Sequence, residues 1–101
     1  MLPSFDLQRL PGEWRAVHGT PDGSELEAEL IREISFGHIL AGTAAVAVCV
    51  KRHRKDAIFW LPERGQWAWV HLTYAVEADP RWPTTVLAHD WDSIVAETTA
   101  D

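Results

Sequence analysis

His71 closes the run Trp67-Ala68-Trp69-Val70-His71 and is followed by Leu72-Thr73. Imidazole changes charge near neutral pH, so it is the side chain in this stretch best suited to acid-base work or to gated binding. Residues two apart on a strand share a face. Trp67, Trp69, His71 and Thr73 therefore form one stripe, and Ala68, Val70, Leu72 and Tyr74 form the other. Aromatic rings dominate binding hot spots, which makes the stripe a candidate docking platform. The competing reading is that the domain's own helices bury it. A second group is Glu29 and Glu33, one helical turn apart, with His38 just beyond. With His71 they would give a carboxylate-imidazole pocket between helix and sheet, although like charges at that spacing usually mark a solvated helix face. Trp82, between Arg81 and Pro83 on a stiff loop, is a further anchor.

Other chemistries find little support. The five histidines, His18, His38, His53, His71 and His89, fall in no recognised ligand spacing, and no metal or cofactor is expected. There is no phosphate-cradling glycine loop and no nucleophile elbow, so no residue is assigned a catalytic role. Ser24 and Ser93 read as helix-cap or helix-surface residues. The one basic run, Lys51 to Lys55, divides between the two faces of a strand and reads as a solvated strand end that discourages edge pairing. With a net charge of -6, a nucleic-acid partner is not expected, because phosphate neutralisation needs surplus Lys and Arg. The same acidity suits a basic protein partner.

These residues must be positioned by one domain, since 101 residues support a single core. The lone Cys49 cannot form an internal disulfide, Met1 to Leu10 lacks the apolar stretch of a signal peptide, and the longest apolar run, Ala44 to Val50, cannot span a membrane. A cytoplasmic protein with no membrane partner is expected. Residues 1–23 are rich in Pro and Gly and read as an irregular segment, with a short edge strand over Glu13 to His18 and a turn at Thr20-Pro21-Asp22-Gly23. Ser24 and Glu27 form a capping box that predicts a helix over about Glu25 to Ser35, with Leu26, Leu30, Ile31 and Ile34 facing the core. Val46, Val48 and Val50 alternate with Ala45, Ala47 and Cys49, which predicts a central strand. Lys55-Asp56 then reads as a tight turn. Ala57 to Leu61 and Gln66 to Tyr74 pair through a loop with Gly65 at positive φ. Thr84 to Ala88 follows as a further strand. Asp90 caps a terminal helix with Trp91, Ile94 and Val95 inward, and Thr98 to Asp101 is expected to fray.

The elements Glu29-Leu30, Arg32-Glu33-Ile34, Gly37-His38, Val70-His71-Leu72-Thr73 and Trp82-Pro83-Thr84 resemble a group of small bacterial proteins of unassigned function. The likeness spans about residues 26 to 95. It implies a bacterial cytosolic origin and adds weight to Glu33, His38, His71, Thr73 and Trp82, and it implies no reaction, substrate or cofactor. The chain departs from the pattern at Lys55-Asp56, where a more acidic turn is expected.

The expected fold is α+β: a meander of three to four antiparallel strands with two helices packed mainly on one face. The expected function is a non-enzymatic protein-binding module of a bacterial cell, immunity-protein-like or toxin-neutralising. Trp67, Trp69 and Trp82 would be its anchors, and Glu29 and Glu33 would pair with partner Arg or Lys. The alternative is a small-molecule binder or small enzyme built on Glu33, His38 and His71.

Overall fold

The computed structural model describes residues 2–100. Met1 and Asp101, the last residue of the expected tail, lie outside them. The fold is α+β, with two helices and a five-stranded antiparallel sheet in sequential order. The strands are β1 (Trp14–Ala16), β2 (Val46–Lys51), β3 (Asp56–Leu61), β4 (Gln66–His71) and β5 (Thr84–Ala88), and the helices are α1 (Pro21–Glu33) and α2 (Trp91–Ala100). The fifth strand is the short edge near Glu13, which pairs Trp14 with Lys51 and Ala16 with Cys49.

α1 starts four residues earlier than expected. Thr20, not Ser24, is its N-cap: its Oγ1 accepts from Gly23 N at 3.2 Å, and Pro21 occupies the first turn, where its missing N–H costs nothing. The Thr20 to Gly23 segment is thus a helix start rather than a free-standing turn. Gly23 is needed there, because a Cβ would stand 2.3 Å from Val17 O. The buried stripe of α1 is Gly23, Leu26, Leu30 and Glu33, while Ile31, one residue round from Leu30, is 74% exposed.

The two helices cover opposite faces of the sheet, which corrects the one-face expectation. Leu26 and Leu30 of α1 pack on Ala57, Phe59, Ala68 and Val70. Trp91 and Ile94 of α2 pack on Ile58 and Trp67 with Val48 and Cys49. The strands demand this, because both of their faces are apolar. The simple alternation expected in β2 is broken by a bulge between Ala47 and Cys49. The extra residue sets Val48 and Cys49 in one cluster and brings Val50 to the other, beside Ala47.

The N-terminal segment is part of the α2 side. Phe5 meets Trp67 edge-on at 6.0 Å and Trp91 at 5.6 Å, and Trp91 Nε1 donates to Asp6 O at 3.1 Å. At the far end Asp90 Oδ1 accepts from Ser93 N at 2.8 Å, the expected cap. Thr98 does not fray. It is buried, and its hydroxyl donates to Ile94 O at 3.0 Å. No helix among the described residues is long and apolar enough to cross a membrane.

Candidate functional site

Cross-strand register builds the stripe rung by rung on the α2 face. Trp60, Trp67 and Ala88 are neighbours across three strands, then Ile58, Trp69 and Val86, then Asp56, His71 and Thr84. α2 has only ten residues, about 15 Å of helix, and its tryptophan lies over the first rung, where Trp91 and Trp67 meet edge-on at 4.9 Å. Trp67 is consequently buried and is core, not platform. Of the other two rungs Ile58 is fully buried, and the remaining side chains bound a cleft of about 350 Å³ lined by Asp56, Trp69, His71, Thr84 and Val86. A second cleft adjoins it across His71, lined by Lys55, His71, Leu72, Thr73, Glu77 and Trp82. Trp69, His71, Thr73 and Trp82 therefore share one continuous surface, with His71 common to both parts.

The polar centre of that surface is Asp56, which the sequence reading placed in a turn. The turn instead occupies residues 52–55, with Arg54 at φ 65°, and Asp56 is the first residue of β3. Its side chain is nearly buried. Oδ1 accepts from Trp69 Nε1 at 3.1 Å and from His71 Nδ1 at 3.2 Å, while His53 Nε2 lies 3.3 Å from Oδ2. A carboxylate oxygen only accepts, so His71 carries its proton on Nδ1. His53 accepts the Lys55 N–H through Nδ1, so its proton is on Nε2, toward Asp56. The orienting carboxylate of His71 is thus Asp56, neither Glu29 nor Glu33. No group of three or more His, Cys, Asp or Glu side chains among the described residues is disposed to hold a metal ion.

Glu33 and His38 serve elsewhere. Glu33 is fully buried at the end of α1 and accepts the amides of Thr73 at 2.7 Å and Tyr74 at 2.8 Å. This draws the chain out of β4 after His71, so Thr73 does not continue the stripe as a strand residue would. Buried His38 accepts from Leu40 N through Nδ1 at 2.9 Å, which leaves its Nε2–H to donate to Pro83 O, also at 2.9 Å. Glu33, His38 and His71 accordingly do not converge on one pocket between helix and sheet. Glu29 pairs with Arg32 at 3.3 Å, and burial together with the adjacent Glu33 pushes its carboxyl up to about 7.

A feature the sequence reading missed lies where these ties cluster. The large apolar side chains exposed among the described residues are Ile31, Phe36, Ile39, Tyr74, Val76 and Trp82. They fall in two segments, 31–39 and 74–82, tied by the hydrogen bond from Tyr74 N to Glu33 and, one residue past the second segment, by that from His38 to Pro83 O. Phe36 is wholly exposed, beside a groove of about 420 Å³ lined also by Ile31, Ile34, Leu40 and Ala41. The available signal was Phe36-Gly37: a ring just past the helix stop has no helix face to bury it.

The basic run is dispersed by the turn at residues 52–55 rather than by the two faces of a strand, since only Lys51 lies in β2. Lys51 lies over the Trp14 ring at 5.6 Å, Arg52 meets Glu13, and Arg54 meets Asp22 and Glu25. Comparison with known protein families, with curated proteins and with solved structures gives no match, so the functional reading stands on this geometry alone.

Proposed function

We propose that the protein is a non-enzymatic protein-binding module, acting in the bacterial cytoplasm, whose docking surface is the end of the molecule formed by residues 31–39 and 74–82. The observation that carries this reading is that Ile31, Phe36, Ile39, Tyr74, Val76 and Trp82 are all exposed on two segments joined by the Glu33–Tyr74 hydrogen bond and flanked by that of His38 to Pro83. Exposed apolar patches of this kind mark interaction sites, and a rigid support lowers the ordering cost of binding. The anchors are Phe36 and Trp82, with Trp69 at the margin; Trp67 is excluded by its burial. The net charge of -6 favours a basic partner, which electrostatic attraction would steer. An immunity-like, toxin-neutralising role by occlusion is its most concrete form.

The test is site-specific photo-crosslinking from position 36 in the native cell, followed by affinity measurement with the purified partner. Phe36→Asp and Trp82→Ser should each weaken that affinity at least about tenfold, as expected of central anchors, with the circular dichroism spectrum unchanged. A partner bound equally well by both variants overturns the proposal.

A further inference from the structure

We infer that the cleft over the second and third rungs of β3, β4 and β5 is a binding site for a small, neutral, planar ligand carrying one hydroxyl or N–H donor, received by Nε2 of His71. The cleft adjoins the docking surface proposed above, sharing Trp69 at its margin, but it is otherwise built from different side chains and does not rest on that reading.

The argument starts with what the cleft can offer. Its wall is the Trp69 indole with Val86 beside it, a flat apolar surface suited to stacking a ring. Its volume of about 350 Å³ stands at the small end of ligand pockets, room for one or two rings. Its charge is already engaged: Asp56 Oδ1 holds Trp69 Nε1 and His71 Nδ1, and Oδ2 faces His53 Nε2. A cationic ligand would have to compete with those three groups. No Lys or Arg lines this cleft, so nothing there recognises an anion.

His71 is what remains. Its Nδ1–H is fixed on Asp56, which sets the ring's orientation and tautomer, and Nε2 is left as an acceptor with no protein partner among the described residues. The ring is about half exposed at the lip of the cleft, with Thr84 across the strand pair as a second polar contact. An apolar wall with one oriented acceptor selects a ligand with an apolar body and a single donor. Asp56 acts as a positioning residue: it fixes His71 and Trp69 at once.

The experiment uses phenol as the probe and benzene as its donor-free counterpart. Each is titrated into the intact protein, labelled with ¹⁵N, and followed through the His71 ring nitrogens and the Trp69 indole N–H. Saturable shifts at both residues are expected with phenol, with benzene at least about tenfold weaker, because a site built around a hydrogen bond rejects the analogue that lacks it. His71→Ala should reduce phenol to the benzene level. Asp56→Asn should weaken phenol and move the His71 Nδ1 and Nε2 signals, a tautomer change that a purely structural role would not produce. Phe36→Asp should leave phenol binding intact. Equal affinity for phenol and benzene, survival of phenol binding in His71→Ala, or shifts confined to the groove beside Phe36 would overturn the inference.

Discussion

The carboxylate of Glu33, fully buried at the last turn of α1, lies 2.7 Å from the amide nitrogen of Thr73 and 2.8 Å from that of Tyr74. One side chain thus ends strand β4 and fixes the start of the loop that carries Tyr74, Val76 and Trp82. Glu33→Gln keeps the shape but turns one accepting oxygen into an N–H₂ facing an amide donor. A loss of about 2–3 kcal/mol in unfolding free energy is expected from urea titration, since hydrogen bonds to a buried charge are among the strong ones. Amide exchange should accelerate at Thr73 and Tyr74 before it does in β3.

Glu29 gives the fold a pH dependence opposite to that of ordinary acid denaturation. Burial first, then its neighbour Glu33, push its carboxyl from 4.5 up to about 7. Between those values the folded chain binds more protons at this site than the unfolded one. This contribution to stability is therefore fully present below pH 4.5 and declines as pH rises toward 7. The size is on the order of 1–2 kcal/mol, less than the whole displacement implies, because Arg32 and water at the rim screen the pair. Glu29→Gln should flatten this slope and raise the urea midpoint at about pH 8. An unchanged slope would mean that Glu29 does not hold the proton.

Gly23 inverts the usual rule for a helical glycine. Alanine is the better helix former by about 1 kcal/mol on an open surface. Here its Cβ would stand 2.3 Å from the carbonyl oxygen of Val17, a backbone atom that cannot swing aside. Gly23→Ala is expected to lower stability by roughly 1–3 kcal/mol through this clash. Thermal unfolding checks it, with Glu25→Ala at an exposed site of the same helix as the control.

The tryptophans should separate by solvent access. Trp67 is 1% exposed and Trp82 is 44% exposed. Trp82→Phe should remove much of the fluorescence that acrylamide quenches, whereas Trp67→Phe should leave that fraction nearly intact. Trp67→Ala, by contrast, opens a cavity against Phe5, Trp60 and Trp91 and should cost about 3–5 kcal/mol. Equal quenching before and after loss of Trp82 would contradict the exposed position of that ring.

The fold was legible where a local rule had no rival. Period-two patterning located β4, Gly65 with φ 61° marked its hairpin with β3, and Asp90 marked the start of α2. Boundaries moved where a distant partner intervened: Glu33 shortened β4, and Thr20 with Pro21 lengthened α1. Ile31 looked like core because it is apolar, but a straight helix turns it away from the line of Leu26, Leu30 and Glu33.

The sequence by itself determined the class of fold, the acidity and the identity of the stripe Trp67-Trp69-His71, because each follows from composition or from contacts between near neighbours. Which ring of that stripe is buried was decided only in three dimensions, by α2 and Phe5 closing over Trp67 and leaving Trp69 and His71 open. The pairing of His71 with Asp56 is likewise a matter of register between β3 and β4. Residues fifteen positions apart come within 3.2 Å only when one hairpin register is chosen, and the packing of the whole sheet chooses it.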